Sequence, residues 1–210
     1  MVAKYPDWLR QQSTNHHWSY VTYSHIPTCL EQAIISVEDK RFLHHGGIDP
    51  IAVLRVVVED AENDQVDHGG STLTLQLARM MLDIPRGQPS AYAELASQFR
   101  IARAALIIEH DFSKQKILEL YLNGVYLGRR ATGVTAAAEA YFGKSLPQLN
   151  EAQCIYIAGL PKAPARFGAN PSGQQAMARY RHVIATMQRN DYLTEDDVVA
   201  VGGLQLFSQR

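Results

Sequence analysis

Apolar side chains return every three to four residues along most of this chain, the rhythm of helices that bury one face. Leu30, Ala33, Ile34, Val37 and Phe42 follow it and predict a helix from Leu30 to Phe42. Asp49-Pro50 starts a second helix, since proline is tolerated in a first turn. That segment carries Ile51, Val53, Leu54, Val56, Val57 and Val58, a β-branched run that suits a strand as well. Residues 59–68 are polar and acidic and read as a loop. Gly69-Gly70-Ser71-Thr72 opens the next helix, which runs to about Leu82 before Ile84-Pro85-Arg86-Gly87 breaks it. Residues 91–111 form a strong helix, and Ser113 caps another from Lys114 to Asn123.

Gly124, Gly128 and Gly133 punctuate the loop that follows. Ala136–Tyr141, Leu149–Leu160 and Met177–Asn190 are further helices, the last two separated by Pro161, Pro164 and Pro171. Residues 1–28 are mixed and aromatic, with Trp8, Trp18, Tyr20 and Tyr23; Val21-Thr22-Tyr23 suits a short strand that Pro27 stops. The chain has no period-two strand array, no strand–helix–strand alternation and no internal repeat. The fold class is mainly α.

Composition narrows this picture. With 210 residues, 46% of them hydrophobic, the chain supports one sizeable core, or one domain with a small appendage. A net charge of -1 provides no global field for nucleic acid or an anionic membrane. Any cationic site must therefore be local. Cys29 and Cys154 form no framework and no metal-type spacing; Cys154 reads as a small core residue, and a bond between the two is left open. No segment reaches the ~18 to 20 apolar residues that span a bilayer. The first residues lack the apolar stretch of a signal peptide. A trimmed chain, a soluble protein and another route to its site all fit.

Chemistry concentrates in two segments. Glu38-Asp39-Lys40-Arg41-Phe42-Leu43-His44-His45 follows the apolar run from Ala33 to Val37 and ends in Gly46-Gly47. Such a charged cluster against a buried segment is costly unless its charges are paired or used. The bland reading is that Glu38 pairs with Lys40 or Arg41. The second segment, Gly69 to Arg79, places glycines before a Ser-Thr helix start, where free backbone amides suit an anion. Thr72 and Gln76 lie four apart on one face, and Arg79 continues it. Ordinary helix capping is the usual use of a Gly-Ser-Thr pattern and, for this segment alone, the stronger reading.

Taken together, these segments resemble the family 51 glycosyltransferases. These are the peptidoglycan-polymerising domains of class A penicillin-binding proteins and the monofunctional transglycosylases. The first family motif is complete here as Glu38, Asp39, Phe42, His45, Gly47 and Asp49. The second is matched by Gly69 to Thr74, Gln76 and Leu77, with Leu75, Arg79 and Met80 in place of glutamine, lysine and asparagine. A further match runs from Ser113 through Lys114, Glu119, Tyr121 and Asn123 to Gly128. Others are Tyr141 to Lys144, Ala158 to Pro164, Asn170-Pro171, and Arg181 with Val183. The resemblance extends over residues 25–195.

It implies a lysozyme-like, multi-helix single domain with a cleft, occupying 29–195 between an N-terminal extension at 1–28 and a C-terminal tail at 196–210. It implies polymerisation of lipid II, a disaccharide-peptide carried on undecaprenyl pyrophosphate. Glu38 is the implied base, with Asp39, Phe42 and His45 positioning it or walling the cleft, and Asp49 capping the next helix. Lys40, Gly70, Ser71, Thr72, Gln76 and Arg79 are the implied contacts to substrate and pyrophosphate. Lys114, Glu119, Tyr121 and Asn123 belong to the scaffold. The implied partners are lipid II, the growing glycan chain, the membrane surface and cell-wall synthesis proteins, not nucleic acid. The implied location is the outer, periplasmic face of the cytoplasmic membrane. No dedicated metal site is implied, only Mg2+ or Mn2+ at the pyrophosphate.

One motif departs from the family. Its Arg-Lys pair and second glutamate fall on Ser97, Gln98 and Ile101. Arg100 and Arg103 are the nearby cations that would restore the charge. Glu94 is a candidate second carboxylate, about 10 Å along the helix from Ile101. Glu109 reads as structural. Three functions follow: an active glycosyltransferase, a non-catalytic relative that binds lipid II or a cell-wall partner, and a lysozyme-like hydrolase. The hydrolase rests on one glutamate, and glycan hydrolysis needs a second carboxylate at a set distance.

Overall fold

The computed structural model describes residues 19–52, 54, 70–85, 87–203 and 206–207. Nine named α-helices carry the described residues: α1 Thr28–Glu38, α2 Leu73–Met81, α3 Ala91–Asp111, α4 Lys114–Gly124, α5 Val134–Phe142, α6 Glu151–Gly159, α7 Pro164–Ala169, α8 Gln174–Arg189 and α9 Glu195–Gly203. Among these residues there is no strand, only an isolated antiparallel bridge between Tyr126 and Thr132. The mainly α expectation holds.

Local chemistry sets the helix starts. Thr72, Ser90 and Ser113 sit in extended backbone, and each side chain accepts a backbone N–H three residues on, at the first turns of α2, α3 and α4. Asn150 and Gln153 form a capping box on α6. α5 ends on Gly143, whose φ of 63° is left-handed.

α1 packs against α6 and α8, while α2 packs against α3 and α4. Leu30, Ala33 and Ile34 of α1, Leu73 and Leu77 of α2, and Ile155, Ile157 and Val183 behind them are fully buried. Both Cys29 on α1 and Cys154 on α6 face this core, and a disulfide joins them across 125 residues of sequence. Cys154 is thus a core residue, as expected, and also half of a cross-link.

Several expectations need correction. α1 stops at Glu38 rather than Phe42; a separate 3-10 turn covers Phe42–His44. Val21-Thr22-Tyr23 is not a strand but leads into a 3-10 turn at Tyr23–His25. Its backbone partners are side chains, not a neighbouring strand. Val21 N–H donates to Asn123 Oδ1 and Asn123 Nδ2 donates to Val21 C=O, both at 2.8 Å, while Tyr23 N–H donates to Glu119. The chain turns helical at Pro50, which decides for helix at Ile51, Ala52 and Leu54. Val56 to Val58, the loop at 59–68, Trp8 and Trp18 lie outside the described residues. Beyond Asn190, α9 was not foreseen; Val201 and Tyr180 are buried where it meets α8, and the Tyr180 hydroxyl donates to Val201 C=O.

Candidate active site

The C-terminus of α1, the start of α2, one face of α3 and one face of α8 enclose a cleft of about 1300 Å³. Glu38, the last residue of α1, lies in it with its side chain 13% exposed. Gln76 Nε2 donates to Glu38 Oε2 at 3.0 Å, and Arg179 from α8 approaches Oε1 at 3.4 Å. Tyr121 hydroxyl donates to Gln76 Oε1 at 3.1 Å and so orients the amide. The bland alternative, pairing of Glu38 with Lys40 or Arg41, does not form. Arg41 turns instead to Asp49, 3.1 Å away. Lys40 is exposed on the cleft wall.

Asp39 and its neighbours form the layer behind Glu38. His45 Nε2 donates to both Asp39 oxygens, at 3.0 and 2.9 Å. Gly47 N–H donates to His45 Nδ1, which fixes that tautomer. Leu73 N–H also donates to Asp39 Oδ2, so the carboxylate pins the first motif to the first residue of α2. Burial pushes the Asp39 carboxyl up, against the pull of the Leu73 amide and of His45. Thr72 tightens the same joint: its hydroxyl donates to Gly47 C=O at 2.5 Å and accepts from Leu75 N–H. Lys114 sits 4.5 Å over the Phe42 ring and bonds His45 C=O and Glu109. Phe42 and His45 therefore support the site from the core and do not line the cleft. Asp49 accepts from Ile51 N–H, capping the helix that starts at Pro50.

Gly70, Ser71, Thr72, Gln76 and Arg79 all line the cleft. Arg79 donates to Pro85 C=O at 3.1 Å, which turns its guanidinium along the wall. Arg100 and Arg103 do not join them. Both are exposed on another face of α3 and lie outside the lining. Ile101, where the motif resemblance leads one to expect a second glutamate, presents a buried apolar side chain to the cleft, 2% exposed. Gln98 lies on the same wall, and Ser97 is buried, donating to Glu94 C=O. Glu94 lines the cleft too. The Gln98 amide and Gln88 N–H hold its carboxyl below the usual range, aided by Arg79.

Sequence reasoning missed the contribution of α8. Arg179, His182, Thr186 and Arg189 line the cleft opposite α2. Arg179 stands 141 residues from Glu38 in the chain and beside the apolar positions Tyr180 and Val183. An arginine flanking a core face is commonplace, so the sequence carried no signal for it. Among the described residues no group of three or more metal-ligating side chains forms.

A mainly α domain with a carboxylate lining a cleft of mixed polar and apolar walls is the class that fold and site define. The transglycosylase family profile matches residues 7–188, and the chain belongs to that family. Among curated relatives, it is 37% identical over 177 residues to penicillin-binding protein 1A of Aquifex aeolicus, covering 84% of this chain and 24% of that protein. It is 39% identical over 175 residues to penicillin-binding protein 1A of Escherichia coli, covering 83% and 20%. The chain thus spans a quarter or less of the length of these relatives. A crystal structure of penicillin-binding protein 1A from Haemophilus influenzae aligns over 43% of this chain and 14% of that one, with 42% identity and a TM-score of 0.41.

Proposed function

We propose that this domain polymerises lipid II, with Glu38 as the base. The observation that carries the reading is the placement of Glu38. A carboxylate at a helix end, mostly shielded from solvent, faces a cleft of about 1300 Å³ with donors on both oxygens. In this reading the hydroxyl of an incoming lipid II gives its proton to Glu38 as its oxygen attacks the anomeric carbon of the growing chain. The bond from that carbon to the pyrophosphate oxygen breaks, and the pyrophosphate leaves with the electron pair.

Ser71, Thr72, Gln76 and Arg79 are the proposed contacts to the pyrophosphate. Arg79 in place of lysine keeps the charge and adds a planar fork of donors. Mg2+ or Mn2+ would arrive with the pyrophosphate, since magnesium-type ions need few protein ligands when phosphate oxygens supply the rest. The membrane surface is the proposed setting, on the periplasmic side. No described helix is long and apolar enough to cross a membrane. Support for a surface contact comes from Tyr92, Leu95 and Phe99, which α3 holds 82%, 69% and 78% exposed.

One observation favours a second reading, a non-catalytic relative that binds lipid II. Ile101 lines the cleft with a buried apolar side chain, at the position that this reading matches to the family's second glutamate, and neither Arg100 nor Arg103 lines the cleft. One experiment separates the two. Purified protein is given lipid II with a divalent cation, and both glycan polymer and lipid II binding are measured. Polymer supports the enzyme; binding with no polymer establishes the binder instead.

A further inference from the structure

The two donors on Glu38 come from distant parts of the chain. Gln76 on α2 holds Oε2, and Arg179 on α8 holds Oε1. Arg179 is itself aimed: its Nε donates at 3.2 Å to the carbonyl of Gly159, the last residue of α6. Gly159 leaves room for the arginine to pass. A Cβ there would stand 3.2 Å from Arg179 Cγ and 3.4 Å from Val183 Cγ2, too tight without movement of the arginine. The Arg179 side chain is 14% exposed and that of Glu38 13%. An ion pair this shielded is screened far less than a surface pair.

A glutamate side chain has three rotatable bonds, and its terminal carboxylate rotor is broad. A donor on one oxygen alone leaves that rotor free to swing; donors on both oxygens, from different elements, fix its plane. We infer that Arg179 is a positioning residue for the reaction of this cleft, holding the Glu38 carboxylate in the orientation that meets an acceptor hydroxyl. The inference rests on the reading of Glu38 as the base. Arg179 does not touch the reacting atoms. When Glu38 takes the proton, the guanidinium keeps its own charge and its bond to Gly159, so the neutral acid stays in place to lose the proton to water.

The test is steady-state polymerisation of lipid II by the wild type and three variants, with melting midpoints measured alongside. Arg179→Gln is expected to lower kcat by about 10- to 100-fold, the scale of a misplaced catalytic group, with KM within about twofold of wild type. Arg179→Lys keeps the charge and is expected to recover most of kcat. Gly159→Ala leaves the charge intact but displaces the arginine, and is expected to lower kcat by a smaller factor in the same way. All three should melt within about 5 °C of wild type. Should Arg179→Gln not fold, the other two variants carry the test. The inference fails if kcat of Arg179→Gln stays within about twofold of wild type, if the loss falls on KM alone, or if Lys does no better than Gln. A wild type that makes no polymer overturns the parent reading and this one with it. A polymerising wild type with an indifferent Arg179→Gln overturns only this one.

Discussion

Glu38 and Glu94 share a cleft but not an environment. Glu38 closes α1 against the core, between Gln76 and Arg179. Glu94 lies in the first turn of α3, where the Gln98 amide, Gln88 N–H and Arg79 favour its ionised form. A carboxyl held below its usual range remains charged at neutral pH and is poorly placed to donate a proton. Glu94→Gln should therefore lower polymerisation by less than about tenfold, the cost of an electrostatic neighbour and not of a proton carrier. Initial rates with lipid II decide it; a loss as large as that of Glu38→Gln would make Glu94 a second catalytic carboxylate. The residues on α1 and α2 were legible because they are contiguous: Glu38 to Asp49 and Gly70 to Arg79 bring their own spacing. Arg179 was not, because only packing of α8 against α1 brings it to Glu38. Arg100 and Arg103 fall outside the lining because proximity in sequence does not choose the helix face.

Two anchors hold the elements that carry the site. Glu119 on α4 accepts from Tyr20 and Lys116 side chains and from Tyr23 N–H, tying the chain before α1 to the core. Burial alone would raise the Glu119 carboxyl, but Lys116, Tyr20 and the Tyr23 amide together bring it below its usual 4.5. An acid depressed in this way adds stability at pH above 4.5, and that stability is lost as pH falls through its lower folded value. Glu119→Gln should lower the melting midpoint by about 5 °C at pH 7, and the gap should close as pH falls well below the ordinary glutamate range. A gap that holds at low pH would contradict this charge account. The second anchor is the Cys29–Cys154 disulfide, which ties α1 to α6. Closing a loop of that length restricts the unfolded chain, so Cys29→Ala should lower the midpoint by about 10 °C. Thiol titration of the unfolded, unreduced wild type should find no free thiol. Most helices were legible from their caps and breakers, as at Thr72, Ser90 and Ser113. The end of α1 was not: Phe42 continues the apolar rhythm, but its burial is reached through the turn at Phe42–His44.

At the scale of the whole molecule, the cleft and an outward apolar face share α3. Tyr92, Leu95, Phe99 and Leu106 are spaced to fall on one side of the helix and are all exposed, with Arg100 and Arg103 beside them. Large exposed apolar residues next to cations suit the boundary of an anionic bilayer. Leu95→Ser with Phe99→Ser should cut cosedimentation with anionic vesicles several-fold while leaving the melting midpoint within about 2 °C. Unchanged sedimentation would remove α3 from the membrane contact. Such a surface would bring the cleft to a lipid-borne substrate, but the central claim concerns what the cleft does with it. The most direct test compares wild type and Glu38→Gln in glycan polymerisation from purified lipid II with a divalent cation. Wild type should build polymer, and Glu38→Gln, which keeps the shape but cannot take the proton, should build none while still folding and binding lipid II. Polymer from Glu38→Gln at the wild-type rate, or none from a wild type that binds lipid II, would contradict Glu38 as the base of a working transferase.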